Sequence, residues 1–129
     1  MVYKNGRRMI LLVDDVDEVR LALRRSLERG GFRVVAAFDE RDGIERAAHD
    51  APDLILVELG RVLPGEALAV GRHIRRGAGL SERVPLVAYA NNAGEVAREG
   101  EAVEFRPGEY VVLPEETEQL IGWLRRLAA

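Results

Sequence analysis

Two aspartates, Asp14 and Asp15, directly follow the apolar run Met9–Val13, and Glu58 lies within another, Leu54–Leu59. If the fold gathers these ends, the three acids form a cluster of like charge. Lys4 is the only lysine in the chain and precedes the first run, so no obvious counter-ion stands nearby. Such a cluster resolves by raising the pKa of one member, by binding a cation, or by recruiting an arginine. Arg61, on the loop after Glu58, is placed to reach inward. Other chemistry finds little support. His49 and His73 lack metal-ligand spacing to a partner. Neither a glycine-rich phosphate loop nor a Ser-His-Asp set is present, and the absence of cysteine excludes disulfides and thiolate chemistry. Asp53 begins a strand run and reads as a surface acid at the opposite end from the cluster.

The elements that must position these acids alternate in type. Strand-length runs are predicted at Met9–Val13, Arg33–Ala37, Leu54–Leu59, Val84–Ala88 and Tyr110–Val112. Helical periodicity occupies Asp17–Arg29, Arg41–His49, Glu66–Arg76 and Glu116–Leu127, with a weaker stretch near Asn92–Arg98. In the first helix Val19, Leu23 and Leu27 form one expected buried stripe, and Gly30-Gly31 closes it as a C-terminal cap. Gly100–Gly108 reads as irregular or extended chain. The strands are nearly continuous apolar runs, which implies burial on both faces and a doubly wound, five-stranded parallel sheet. Sites in such sheets form outside the carboxyl ends of the strands. Asp14, Asp15, Glu58, Ala90 and Leu113 all fall there.

The chain has 129 residues, 47% hydrophobic and 32% charged, the profile of one ordinary globular domain with residues 1–8 as lead-in. No run approaches membrane-spanning length, and the start does not read as a signal peptide, so a cytoplasmic location is expected. With a net charge of −3 and scattered basic residues, nucleic-acid binding by this domain is not expected. The pairs Arg24-Arg25, Arg75-Arg76 and Arg125-Arg126 sit near helix ends, where they suit the helix dipole.

Several separated strings resemble the receiver domains of bacterial two-component response regulators, over residues 9 to 127. Val13-Asp14-Asp15-Val16-Asp17-Glu18-Val19-Arg20 is similar to the family's first strand and acidic turn. Gly31-Phe32-Arg33-Val34 resembles the approach to the second strand, and Pro52-Asp53-Leu54-Ile55-Leu56-Val57-Glu58-Leu59 the third. Val84-Pro85-Leu86-Val87 resembles the fourth strand, and Tyr110-Val111-Val112-Leu113-Pro114 the fifth. The resemblance implies the flavodoxin-like receiver fold with a short or irregular fourth helix.

It also implies what the chain lacks. In the family two acids hold magnesium, an aspartate accepts the phosphoryl group, a hydroxyl side chain binds it and a lysine neutralises it. Asp14 and Asp15 match the two acids. The acceptor position is Glu58, one methylene longer; the hydroxyl position is Ala90; the lysine position is Leu113. The loop Gly60–Gly65 departs from the family pattern, so Gly60 is a doubtful source of a metal-binding carbonyl. Magnesium at Asp14, Asp15 and Glu58 is implied by the resemblance; solvated acids capping the first helix are the plainer alternative. As a phosphoryl mimic, Glu58 supplies one negative charge and two oxygens, against about −1.5 to −2 and three acceptor oxygens.

The implied function is a pseudo-receiver, non-enzymatic and requiring no cofactor, that acts by protein–protein interaction in a signalling pathway. Tyr110 and Trp123 mark the expected interface, on the face of the fourth helix, fifth strand and fifth helix, through which a homodimer is expected. Two other readings stay open. One is an active receiver phosphorylated on Glu58, Asp14 or Asp15 with magnesium; the other is a cation or small-ligand sensor using the acidic pocket.

Overall fold

A computed structural model describes residues 7–90 and 97–129. The strands are β1 (Met9–Asp14), β2 (Arg33–Ala37), β3 (Leu54–Glu58), β4 (Leu86–Tyr89), β5 (Glu101–Arg106) and β6 (Glu109–Leu113). The helices are α1 (Asp17–Arg29), α2 (Glu40–Asp50), α3 (Pro64–Gly77) and α4 (Thr117–Leu127). One sheet holds all six strands in the order β2-β1-β3-β4-β6-β5, and only β5 runs antiparallel to its neighbour.

Successive residues of the central strands point to opposite faces. Leu11, Val13, Ile55 and Val57 therefore meet α2 and α3, through Ala47, Leu68 and Ile74. Ile10, Leu12, Leu54 and Leu56 meet α1 and α4, through Leu27, Leu120 and Leu124. Both faces need apolar side chains, which is why these strands carry no alternation.

Local signals fix the helix ends. The Asp39 carboxylate accepts from Asp42 N–H at 2.8 Å to start α2. Pro64 opens α3, and Glu66 reaches back to Leu63 N–H at 3.0 Å. At the end of α1, Gly31 takes φ +98°, letting Phe32 N–H return to Leu27 O. Asp53 does more than face solvent: its carboxylate accepts from Met9 N–H at 2.7 Å, tying together the starts of β1 and β3.

Two expectations change, and a third lies largely outside the described residues. The sheet has six strands rather than five, because Glu101–Arg106 folds back on β6 through Pro107-Gly108, with Gly108 at φ +79°. The fourth helix, expected near Asn92–Arg98, falls on residues that are largely outside those described; Ala97 and Arg98 are not helical. The stripe on α1 is buried only at its C-terminal end, since Leu27 is fully covered while Val19 is 40% exposed. The first turns of α1 line a groove instead of packing on the sheet.

Glu109, only 5% exposed, is paired with Arg72 of α3, fastening that helix to β6. Removing one partner of a buried ion pair strands the other in an apolar setting. Arg72→Ala is expected to cost about 2–4 kcal/mol, read from urea unfolding; Glu109→Gln, which keeps an acceptor for Arg72, is expected to cost less.

Candidate functional site

Parallel pairing of β1 with β3 sets Asp14 directly beside Glu58. Neighbouring strands lie about 4.8 Å apart, so the two carboxyl groups meet at the carboxyl edge of the sheet. Asp14 is 1% exposed. Its Oδ1 accepts from Val16 N–H at 2.9 Å, turning the chain into α1. Its Oδ2 is buried and receives no donor from any N–H or hydroxyl group among the described residues.

The electrostatics follow. Burial, then the Asp14 charge and the hydrogen bond to Asp14, push the Glu58 pKa up to about 7. Burial also raises the pKa of Asp14, against the lowering effect of Val16 N–H. Both shifts favour the neutral form, which relieves the repulsion between the two acids. Asp15 is exposed and adds only its charge to the cluster.

The arginine drawn to this cluster is Arg20, not Arg61. Arg20 donates to the backbone carbonyl of Asp14 at 2.9 Å and to Asp17 Oδ1 at 2.6 Å. Arg61 is exposed and lines a separate cleft with Leu63, Tyr89 and Ala90, forming no ion pair among the described residues. The spacing of Asp17 and Arg20 on one helix turn was the available signal. Tyr89, at the end of β4, was also missed. It packs toward α1 and α4, and burial and the Glu58 charge raise its pKa.

Ala90 and Leu113 are both buried in the cluster shared with α2 and α3. Ala90 has only its backbone engaged, donating to Val112 O at 2.8 Å. All five sequence-predicted positions therefore come to the ends of four adjacent strands, but two of them continue the apolar core. Asp14 is buried beside Glu58 and Asp15 faces solvent, and among the described residues no three acidic or histidine side chains are grouped to hold a metal. His73 and His49 pair instead with Glu40 and Asp50.

Beside Glu58 lies a groove of about 340 Å³, lined by Val19, Leu23, Tyr89 and Thr117 among others. On the same face of the sheet, Tyr110 packs on the core opposite Glu104 of β5, and burial, then Glu104, raise its pKa. Trp123 is half-buried against the same core.

No protein-family model matches the chain. The transcriptional regulatory protein AfsQ1 of Streptomyces coelicolor is 37% identical over 79 residues, covering 60% of this chain and 32% of that protein. The chain thus aligns with about a third of the length of that relative. A response regulator receiver protein from Sinorhizobium medicae superposes with a TM-score of 0.67 at 21% identity, covering 97% of each chain. The receiver domain of the sensor histidine kinase PA1611 from Pseudomonas aeruginosa gives 0.66 at 23% identity, covering 95% of this chain and 98% of that one. That protein carries a magnesium ion in its active-site cleft. The fold of this chain is the flavodoxin-like receiver fold.

Folding lets Glu58 keep its proton up to a higher pH than the unfolded chain does. Its contribution to stability is fully present below about pH 4.5 and is lost as pH rises through about 7. Allowing for the partial exposure of Glu58, the loss is on the order of 2 kcal/mol. Urea unfolding at pH 5 and pH 8 measures it against Glu58→Gln, whose amide donates to Asp14 at every pH. The variant is expected to match the wild type at pH 5 and exceed it at pH 8.

Proposed function

We propose that this receiver-fold domain is a signalling module that is not phosphorylated and that works through protein–protein contact. The observation that carries this reading is the state of the acceptor position. Glu58 is paired in register with Asp14 and resists ionisation, and the flanking positions Ala90 and Leu113 are apolar. Phosphoryl transfer needs an ionised nucleophile, a cation and donors for the developing charge. Glu58 is only partly ionised at neutral pH, and the side chains of Ala90 and Leu113 supply neither a cation nor a donor.

Mimicry of a phosphorylated state by Glu58 is also disfavoured. With a pKa of about 7 it carries roughly half a charge at neutral pH, well below that of a phosphoryl group. Partner contact through the surface around Tyr110 and Trp123 is the remaining route. Trp123 and Tyr110 both remain partly accessible. Tryptophan is enriched among the residues that dominate binding energy. A cytoplasmic setting fits this role. Among the described residues no helix is long and apolar enough to cross a membrane.

Intact-mass measurement after incubation with acetyl phosphate and magnesium tests the proposal, with an ordinary receiver as positive control. No phosphoryl increment is expected, and a clear increment would overturn it. Glu58→Asp alone is expected to stay unmodified, because Ala90 and Leu113 still leave the group without a hydroxyl or a cation. Leu113→Lys puts an ammonium group into an apolar site and is expected to cost about 1–3 kcal/mol, read from thermal unfolding.

A further inference from the structure

β5 is the outermost strand of the sheet, and among the described residues its far edge pairs with nothing. Five of its six residues are exposed, including Phe105 at 39%. Open edges are usually blunted by charged side chains, above all lysine, by proline, or by bulges. β5 has neither lysine nor proline, and its charges, Glu101, Glu104 and Arg106, are of both signs.

The bulge in β5 gives those charges a pattern. Pairing with β6 steps from Glu104 opposite Tyr110 to Arg106 opposite Glu109, leaving Phe105 as the extra residue. Residues directly opposite one another share a face. Glu101 pairs with Leu113, Val103 with Val111 and Arg106 with Glu109, and these three β6 residues all point toward α3. In an unbulged strand, Arg106 would point to the other face from Glu101. With the bulge, Glu101, Val103 and Arg106 line one face, with Val103 at the centre.

We propose that a second copy of this chain pairs with this edge, antiparallel, about a two-fold axis passing through Val103. An axis perpendicular to the sheet requires each residue to meet one from its own face. The register centred on Val103 places Glu101 against Arg106 of the second copy, and the reverse, with Val103 against its own counterpart. Centred one residue later, Glu104 faces Glu104; centred one residue earlier, neither ion pair forms. Both charged groups are free for the purpose. Glu101 uses one oxygen to accept from Arg98 N–H at 2.8 Å, and Arg106 lies over the Phe105 ring at 5.9 Å without an ion pair of its own among the described residues. The edge is short, so the dimer is concentration-dependent. It uses a surface separate from Trp123 and does not depend on the state of Glu58.

Sedimentation velocity over a range of concentrations tests this on the whole chain. The wild type is expected to dimerise, and E101R and R106E are each expected to weaken association about ten- to hundredfold. An equimolar mixture of the two variants is expected to associate as the wild type does, because every facing pair is again opposite in sign. The double variant E101R/R106E is expected to self-associate for the same reason, and circular dichroism checks that each variant folds. A monomeric wild type, a dimer indifferent to both reversals, failure of the folded variants to associate when mixed, or a dimer lost in Trp123→Ala would overturn the proposal.

Discussion

The pairing of β1 with β3 governs the functional end of this molecule. Both strands are buried on two faces, so their register is held by apolar side chains on each side. A one-residue slip would turn every one of those side chains to the wrong face. That rigidity leaves Asp14 and Glu58 side by side whatever their mutual repulsion costs. The raised pKa of Glu58 eases that repulsion, and Arg20 bridges the Asp14 carbonyl and Asp17. The start of α1 is thus organised around Asp14, through its backbone carbonyl and through the side-chain bond to Val16 N–H.

Ala90 and Leu113 belong to the same solution. A lysine at the end of β6 would lower the pKa of a neighbouring carboxyl group, whereas a leucine removes that charge. With Ala90, it carries the core cluster of α2 and α3 up to the carboxyl ends of β4 and β6. Under the proposed reading the three positions are mutually consistent. An ionised Glu58 would want a cation that Leu113 does not offer, and a neutral Glu58 has no use for one.

Most of the sheet was legible because its strands are continuous apolar runs and its helices carry 3.6-residue periodicity. β2 and α1 fall where the pattern puts them, and other ends differ by one or two residues, as helix and strand ends do. β5 was not legible as a strand. Its side chains are mostly polar and exposed, and what makes it a strand is the Pro107-Gly108 turn returning it to β6. The extent of burial on α1 was likewise beyond a periodicity argument. Val19 has the right spacing, but the groove beside Glu58 opens beneath it. At the site, residue identity was enough to place the five positions at the strand ends. It was not enough to choose the counter-ion. Arg61 is near Glu58 in sequence but faces another cleft, while Arg20 reaches Asp14 from the helix that follows it.

The hairpin of β5 and β6 also bears on the face packed by α1 and α4. It sets Glu104 directly opposite Tyr110, so the two side chains share that face of the sheet. A switch needs an element with two arrangements of similar free energy, biased by the chemistry at the site. Under the proposed reading the site does not supply that bias, because Glu58 resists ionisation and the ends of β4 and β6 are apolar. Regulation by such a module would rest on how much of it is present and what it meets.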